Sequence, residues 1–217
     1  MYTLDDIQVY ILNWKKVSHN SLELYHGVKK LINNVTIINC DENLKLDNSI
    51  RHIQLDDSHY YGSQYAHAIR DVKENKILCI IVGDNVPDNN FNILFTCVLE
   101  AFNTYNIGVY APYDRRSCYK EKYEEVGERI FNVPNTDCGF WFIHPAIIPK
   151  LKYLNYSVSK YGWGIDVITI EEARKNGLLV LRDYRCETDQ LDHSTNYNCD
   201  EARNQMHQLE EEYRNLQ

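Results

Sequence analysis

Ile77-Leu78-Cys79-Ile80-Ile81-Val82 runs straight into Gly83-Asp84-Asn85-Val86-Pro87-Asp88. Six apolar residues without alternation predict a strand buried on both faces, which the glycine, acid, amide and proline then end abruptly. A strand of that kind belongs in the middle of an open α/β sheet. Ligands bind such sheets at the carboxyl ends of the strands, so Asp84 is delivered where a carboxylate can hold a divalent cation and, through it, a phosphate. A polar turn capping a buried strand explains the same residues equally well.

Outward from this stretch the chain alternates strands and helices. Residues 7–12 form a first strand, left through the loop Asn13-Trp14-Lys15-Lys16. Ser18 can cap a helix with Leu24, Val28, Leu31 and Ile32 on one face, and residues 35–39 form the next strand, ending in Cys40-Asp41-Glu42-Asn43. Strand, helix, strand favours a parallel sheet with a right-handed crossover. A short strand at 50–55 precedes a helix using Tyr61, Tyr65, Ile69 and Val72. After the central strand, Asn90 can cap a helix whose stripe is Phe91, Leu94, Phe95, Val98, Leu99 and Phe102. Strands follow at 107–111, 140–145 and 178–181, with no clear pattern over 121–135. The last of these strands leads into Arg182-Asp183-Tyr184 and a polar loop with Asp189, Asp192 and His193. Gly162-Trp163-Gly164-Ile165-Asp166 opens a helix that Gly177 ends. Ala202, Met206, Leu209, Tyr213 and Leu216 recur at helical steps, so the tail is an amphipathic helix packing on the body or on a partner.

The 217 residues suit one domain, and 44% hydrophobic with 25% charged residues is globular composition. A net charge of -8 argues against a generic nucleic-acid binder, which needs a basic face. Seven scattered cysteines without a CxxC pair disfavour a zinc site or a disulfide framework, and Cys79 and Cys97 read as core residues. The start, Met1-Tyr-Thr-Leu-Asp-Asp, has no basic n-region, and no run is long enough to span a bilayer; the expectation is a soluble, cytoplasmic protein. Seventeen tyrosines are many; tyrosine and tryptophan stack on sugars or bases, yet most such residues simply pack.

Asp41, Asp84, Asp166 and His193 each end an element or sit in a loop. In this order they resemble the nucleotide-sugar glycosyltransferases of the GT-A fold, family 2-like, and most nearly small enzymes of that kind from large algal DNA viruses. The likeness implies a GT-A-like domain over residues 1–199, with residues 200–217 as the helix outside it, and a host cytoplasmic location if the source is viral. It implies a UDP-sugar donor, a glycan acceptor, and Mn²⁺ or Mg²⁺. Asn13 and Trp14 would face the base, and Asp41 would bond uracil or ribose. Tyr61 and Gly62 would begin a helix beside the donor. Gly83-Asp84-Asn85 would stand for the metal-binding Asp-x-Asp, with only its middle residue acidic, and His193 would join Asp84 at the metal. Asp166 would be the general base of an inverting transfer, with Trp163 and Gly164 lining the acceptor. Asp137, in the turn before residues 140–145, can touch donor or acceptor sugar, though turn chemistry explains it equally well.

Arg182 and Arg185, or Arg115 and Arg116, are available to neutralise a diphosphate, and Asp88 is a spare metal candidate beside the Asn90 cap. Two other classes stay open. A nucleotidyltransferase acting on a sugar phosphate would favour a glycine-rich loop after the first strand, which Asn13-Trp14-Lys15-Lys16 lacks. A carbohydrate-binding protein that keeps the fold without turnover would tolerate Gly83 and Asn85. A dimer through the C-terminal helix is a further expectation.

Overall fold

The computed structural model of the chain describes residues 1–88, 90–191 and 197–216. Asp192 and His193 lie outside the described residues. The strands are β1 Ile7–Asn13, β2 Val35–Asn39, β3 His52–Gln54, β4 Ile77–Val82, β5 Asn85–Pro87, β6 Ile107–Asp114, β7 Glu124–Gly127, β8 Ile130–Asn132, β9 Phe140–Ile143 and β10 Leu179–Gln190. The helices are α1 Ser18–Lys29, α2 Tyr61–Asp71, α3 Phe91–Thr104, α4 Ile148–Leu151, α5 Ile165–Lys175 and α6 Cys199–Asn215.

All ten strands join one sheet in the order β3-β2-β1-β4-β9-β6-β10-β8-β7, with β5 paired to β10. The ladders β3-β2-β1-β4 and β6-β10 are parallel, so the central sheet is mostly parallel and flanked by helices, a GT-A-like fold. β4 lies inside it, between β1 and β9, as its unbroken apolar run predicts. Side chains alternate between two cores. Leu78 and Ile80 face α2 and α5, while Ile77, Cys79 and Ile81 face α1 and α3. Burying both faces removes any reason for polar alternation along the strand.

β9 runs antiparallel between β4 and β6, and this reversal positions the site. It brings the turn entering β9 to the same edge as the end of β4, where Val82 N donates to Gly139 O at 2.7 Å.

Three local expectations are corrected. Val17, not Ser18, precedes α1 as cap residue; the Ser18 hydroxyl instead donates to the Asp41 carboxylate at 2.8 Å. Residues 121–135 contain the β7-β8 hairpin. The last strand continues through Arg182, Asp183 and Asp189 to Gln190, because β6, β8 and β5 supply ladder partners along its length. Of the two surfaces expected for the tail helix, α6 covers its own domain, laying in Ala202, Leu209 and Tyr213 at 1% exposure or less. No helix among the described residues is long and apolar enough to cross a membrane.

Candidate active site at the carboxyl edge of the sheet

A cavity of about 520 Å³ opens where β1, β2 and β4 end. Trp14, Lys15 and Lys16 come to it from the loop after β1, Cys40 from the end of β2, and Tyr60, Tyr61 and Gln64 from the start of α2. Val82 and Asp84 form its floor on the β4 side, and Tyr161 and Tyr197 close it.

The turn carrying Asp84 is tightly held. Asn20 of α1 donates to Gly83 O at 2.6 Å, and Leu191 N donates to Asp84 O at 2.7 Å. A Cβ on Gly83 would lie 2.2 Å from Ser21 Oγ and 2.8 Å from Val17 Cγ2, so α1 leaves no room for a side chain there. The missing acid at the first position of Gly83-Asp84-Asn85 is therefore a packing consequence. Asp84 is 7% exposed and lines the cavity. Asn85 Nδ2 donates to Asp84 Oδ1 at 3.1 Å, while the buried Asn85 Oδ1 has no hydrogen-bond partner among the described residues. The Asp84 carboxylate, lining the cavity, is a hard-oxygen donor that suits Mg²⁺ or Mn²⁺.

Asn13 and Asp41 stand behind the cavity wall. Asn13 Nδ2 donates to Asn39 Oδ1 at 2.6 Å, and Asp41 accepts from the Ser18 hydroxyl and from Asn43 N. Both are buried, and the wall in front of them is Cys40 and Gln64. Gly62 is also structural: its N donates to Lys160 O, and a Cβ there would come within 1.9 Å of Ser159 O.

Asp166 stands on the first turn of α5, whose cap residue Gly164 has φ +88°. Tyr119 donates its hydroxyl to Asp166 Oδ2 at 2.8 Å. Asp166 does not line the cavity; it adjoins it through Tyr61. Burial above all raises the Tyr61 hydroxyl pKa, with Asp166 adding its charge, and that hydroxyl donates to Cys138 O. Burial and then the charge of Asp166 push the Cys138 thiol up to about 12, so it is neutral. Trp163 reaches the cavity through Tyr197, donating its indole N–H to the tyrosine oxygen at 3.0 Å. Tyr197 in turn stacks on Tyr161, ring centroids 4.8 Å apart. Asp137 is partly buried, and desolvation raises its carboxyl pKa, helped by the charge of Asp114 and opposed by Ser117 and Arg182.

Of the arginines expected at a diphosphate, Arg185 pairs with Asp183 and Glu100, Arg115 with Asp88 and Glu187, and Arg116 with Asp189, while the buried Arg182 donates through Nη2 to Asn135 O and its Nη1 has no partner among the described residues. Asp88 is thereby accounted for. Lys15 and Lys16 are the cations that line the cavity, and their position directly after Trp14 was the signal available in the sequence. Gln64 and Tyr161 carried no such signal.

Among the described residues one trio of potential metal ligands lies together: Cys97, Asp183 and Cys186, buried in the α3 core. Asp183 there already accepts from the Tyr110 hydroxyl and the Arg185 guanidinium.

No family model and no curated protein matches the chain in sequence. Solved structures match in fold. GalNAc-T7, crystallised with UDP, GalNAc and Mn²⁺, superposes with a TM-score of 0.63 at 8% identity over 86% of this chain, and the chain spans 43% of that protein's length. A Bacillus anthracis chain described as a glucose-1-phosphate thymidylyltransferase, in complex with a sucrose, gives 0.55 at 12% identity, covering 82% of this chain and 85% of that one. A197 from STIV gives 0.50 at 16% identity, covering 88% and 97%.

Proposed function

We propose that this protein transfers a sugar from a UDP-sugar to a glycan hydroxyl with inversion. One observation carries the reading: an aromatic cavity at the carboxyl edge is lined by Lys15, Lys16 and Asp84, while Asp166 stands at a helix start next to Tyr61. Trp14 and Tyr61 supply flat apolar faces for a base, and Lys15 and Lys16 supply positive charge for a diphosphate. Asp84, its Oδ1 held by the Asn85 amide, would hold the divalent cation, which when bound screens the charge of the departing diphosphate. The fold likeness to GalNAc-T7, crystallised with UDP, GalNAc and Mn²⁺, makes a nucleotide-sugar the first ligand to test.

Asp166 takes the proton from the acceptor hydroxyl as that oxygen attacks the anomeric carbon. Tyr119 orients this carboxylate through the hydrogen bond to Oδ2. Asp166 and Asp84 belong to separate elements, so base and leaving group would act on opposite faces of the sugar, the condition for inversion. Removing a general base costs about 10²–10⁴-fold in rate. Asp166→Asn should therefore slow transfer by about that factor with UDP-sugar affinity nearly unchanged. Transfer assays beside calorimetry with Mn²⁺, and NMR of the product's anomeric carbon, test this. Normal transfer by the variant, or retained configuration, refutes the role of Asp166; release of pyrophosphate from a sugar phosphate and a nucleoside triphosphate would assign the chain to nucleotidyl transfer instead.

A further inference from the structure

Gln64 is 3% exposed and sits in the first turns of α2 against the ends of β1 and β2. Its amide nitrogen donates to Asn13 O at 2.7 Å and Cys40 Sγ at 3.1 Å, with Ile38 O further off at 3.4 Å. Two of these partners are backbone carbonyls, which only accept, so the amide cannot turn over without setting oxygen against oxygen. Its orientation is fixed by the fold. No donor among the described residues reaches Oε1. Unlike Asn13 Oδ1 and Asn85 Oδ1, which are buried without a partner, that oxygen keeps access to the surface. Gln64 lines the cavity, and Oε1 is the one hydrogen-bonding group it has left to offer there.

We infer that Gln64 reads the base of the donor nucleotide, selecting a base with a ring N–H on its pairing edge, such as uracil, over one with a bare ring nitrogen, such as cytosine. This rests on the nucleotide-sugar reading of the cavity. Position along the sheet edge supports it. Gln64 caps the ends of β1 and β2, whereas Asp84 follows β4 on the other side of β1. Neighbouring strands lie about 4.8 Å apart, so β2 and β4 are separated by about 10 Å, room for a ribose between a base and a diphosphate. Trp14, Tyr60 and Tyr61 line the same cavity as Gln64.

The selection follows from rigidity. Uracil N3–H donates to an acceptor held in place; cytosine N3 brings a second lone pair to the same oxygen. A glutamine free to rotate would present its NH₂ to cytosine and lose the distinction, but this NH₂ is committed to Asn13 and Cys40. Burying an acceptor under a base that cannot donate to it should weaken binding by about 10–100-fold.

The test is calorimetry of UDP, CDP and N3-methyl-UDP with Mn²⁺, on wild type and on Gln64→Met. The variant keeps chain length and removes the oxygen. Wild type should bind UDP about 10–100-fold more tightly than either CDP or N3-methyl-UDP. In Gln64→Met the UDP affinity should drop while CDP affinity stays, bringing their ratio toward one, with a thermal melt confirming a folded variant. CDP or N3-methyl-UDP binding wild type as tightly as UDP overturns the inference, and so does an unchanged UDP-to-CDP ratio in a folded variant. Should Gln64→Met not fold, the three ligands on wild type decide alone. If none of them binds wild type, the nucleotide reading of the cavity has failed and the inference falls with it; if UDP binds without preference, only the role of Gln64 has failed.

Discussion

Asp137 holds its proton more tightly than an ordinary carboxyl, chiefly because it is desolvated. The raised folded-state pKa means that the fold penalises the ionised form. The associated stability is fully present below the unfolded pKa, about 3.9, and is lost as pH rises through the folded value. Asp137→Asn has no proton to lose there. Its melting temperature should therefore gain on wild type as pH rises from about 3.9 to neutrality, most steeply where the buried carboxyl titrates. Thermal melts across that range check this, and a gap that does not change with pH would show that Asp137 titrates normally. At this scale the sequence was partly legible. Asp84 could be singled out because an apolar strand has to end somewhere, and its residue at the stop is acidic. The absence of an acid at 83 could not be explained, since the obstruction there comes from Ser21 and Val17, distant in sequence and brought in by α1 packing. The basic residues were misjudged for the same kind of reason: whether Arg182 or Arg185 is available depends on Asn135 and Asp183, which only the fold brings to them.

At the scale of elements, α2 and the loop before α5 form one unit. Gly62 meets Ser159 and Lys160, and Gly162, at φ +83°, leaves its Cβ direction to the ring of Tyr61. Gly62→Ala would force its methyl toward Ser159 O, a backbone atom that cannot swing aside. Overpacking of this kind costs about 1–3 kcal/mol, so the urea midpoint should fall with an unchanged slope, and donor affinity should fall too because Tyr61 and Gln64 flank the displaced residue. An unaltered midpoint would mean that the loop yields freely. Strands buried on both faces, β1, β2, β4 and β9, were legible because continuous apolar character has few other readings. β10 was cut short because Arg182 and Asp183 break that character; Arg182 is held by the Asn135 carbonyl and Asp183 by Tyr110 and Arg185, and periodicity carries no record of such partners. The hairpin β7-β8 was missed because its outer strand exposes Glu124 and Glu125, the charged dress of a sheet edge.

For the molecule as a whole, α6 ties stability to the site. Asn198 caps it by accepting from Asp200 N and Glu201 N, and Tyr197 just before it returns to the cavity. Further along, Met206 Cγ stands 2.9 Å from where a Cβ on Gly164 would be, so the helix presses on the turn preceding Asp166. Leu209 is fully buried, and the Tyr213 hydroxyl donates to Glu172 of α5 at 2.7 Å, with Lys150 facing the same carboxylate. The three- and four-residue spacing made an amphipathic helix legible but not the surface it covers, because spacing is identical for a helix folded on its own domain and one awaiting a partner. Leu209→Ala distinguishes the two. Truncating a buried leucine costs about 2–5 kcal/mol, and because Leu209 packs into the core of its own domain that cost should not depend on protein concentration. Urea midpoints at two concentrations roughly a hundredfold apart should fall equally relative to wild type, with sedimentation unchanged between the two proteins. A midpoint that moves with concentration, or a change in assembly without loss of stability, would instead place this face of α6 in an interface between copies.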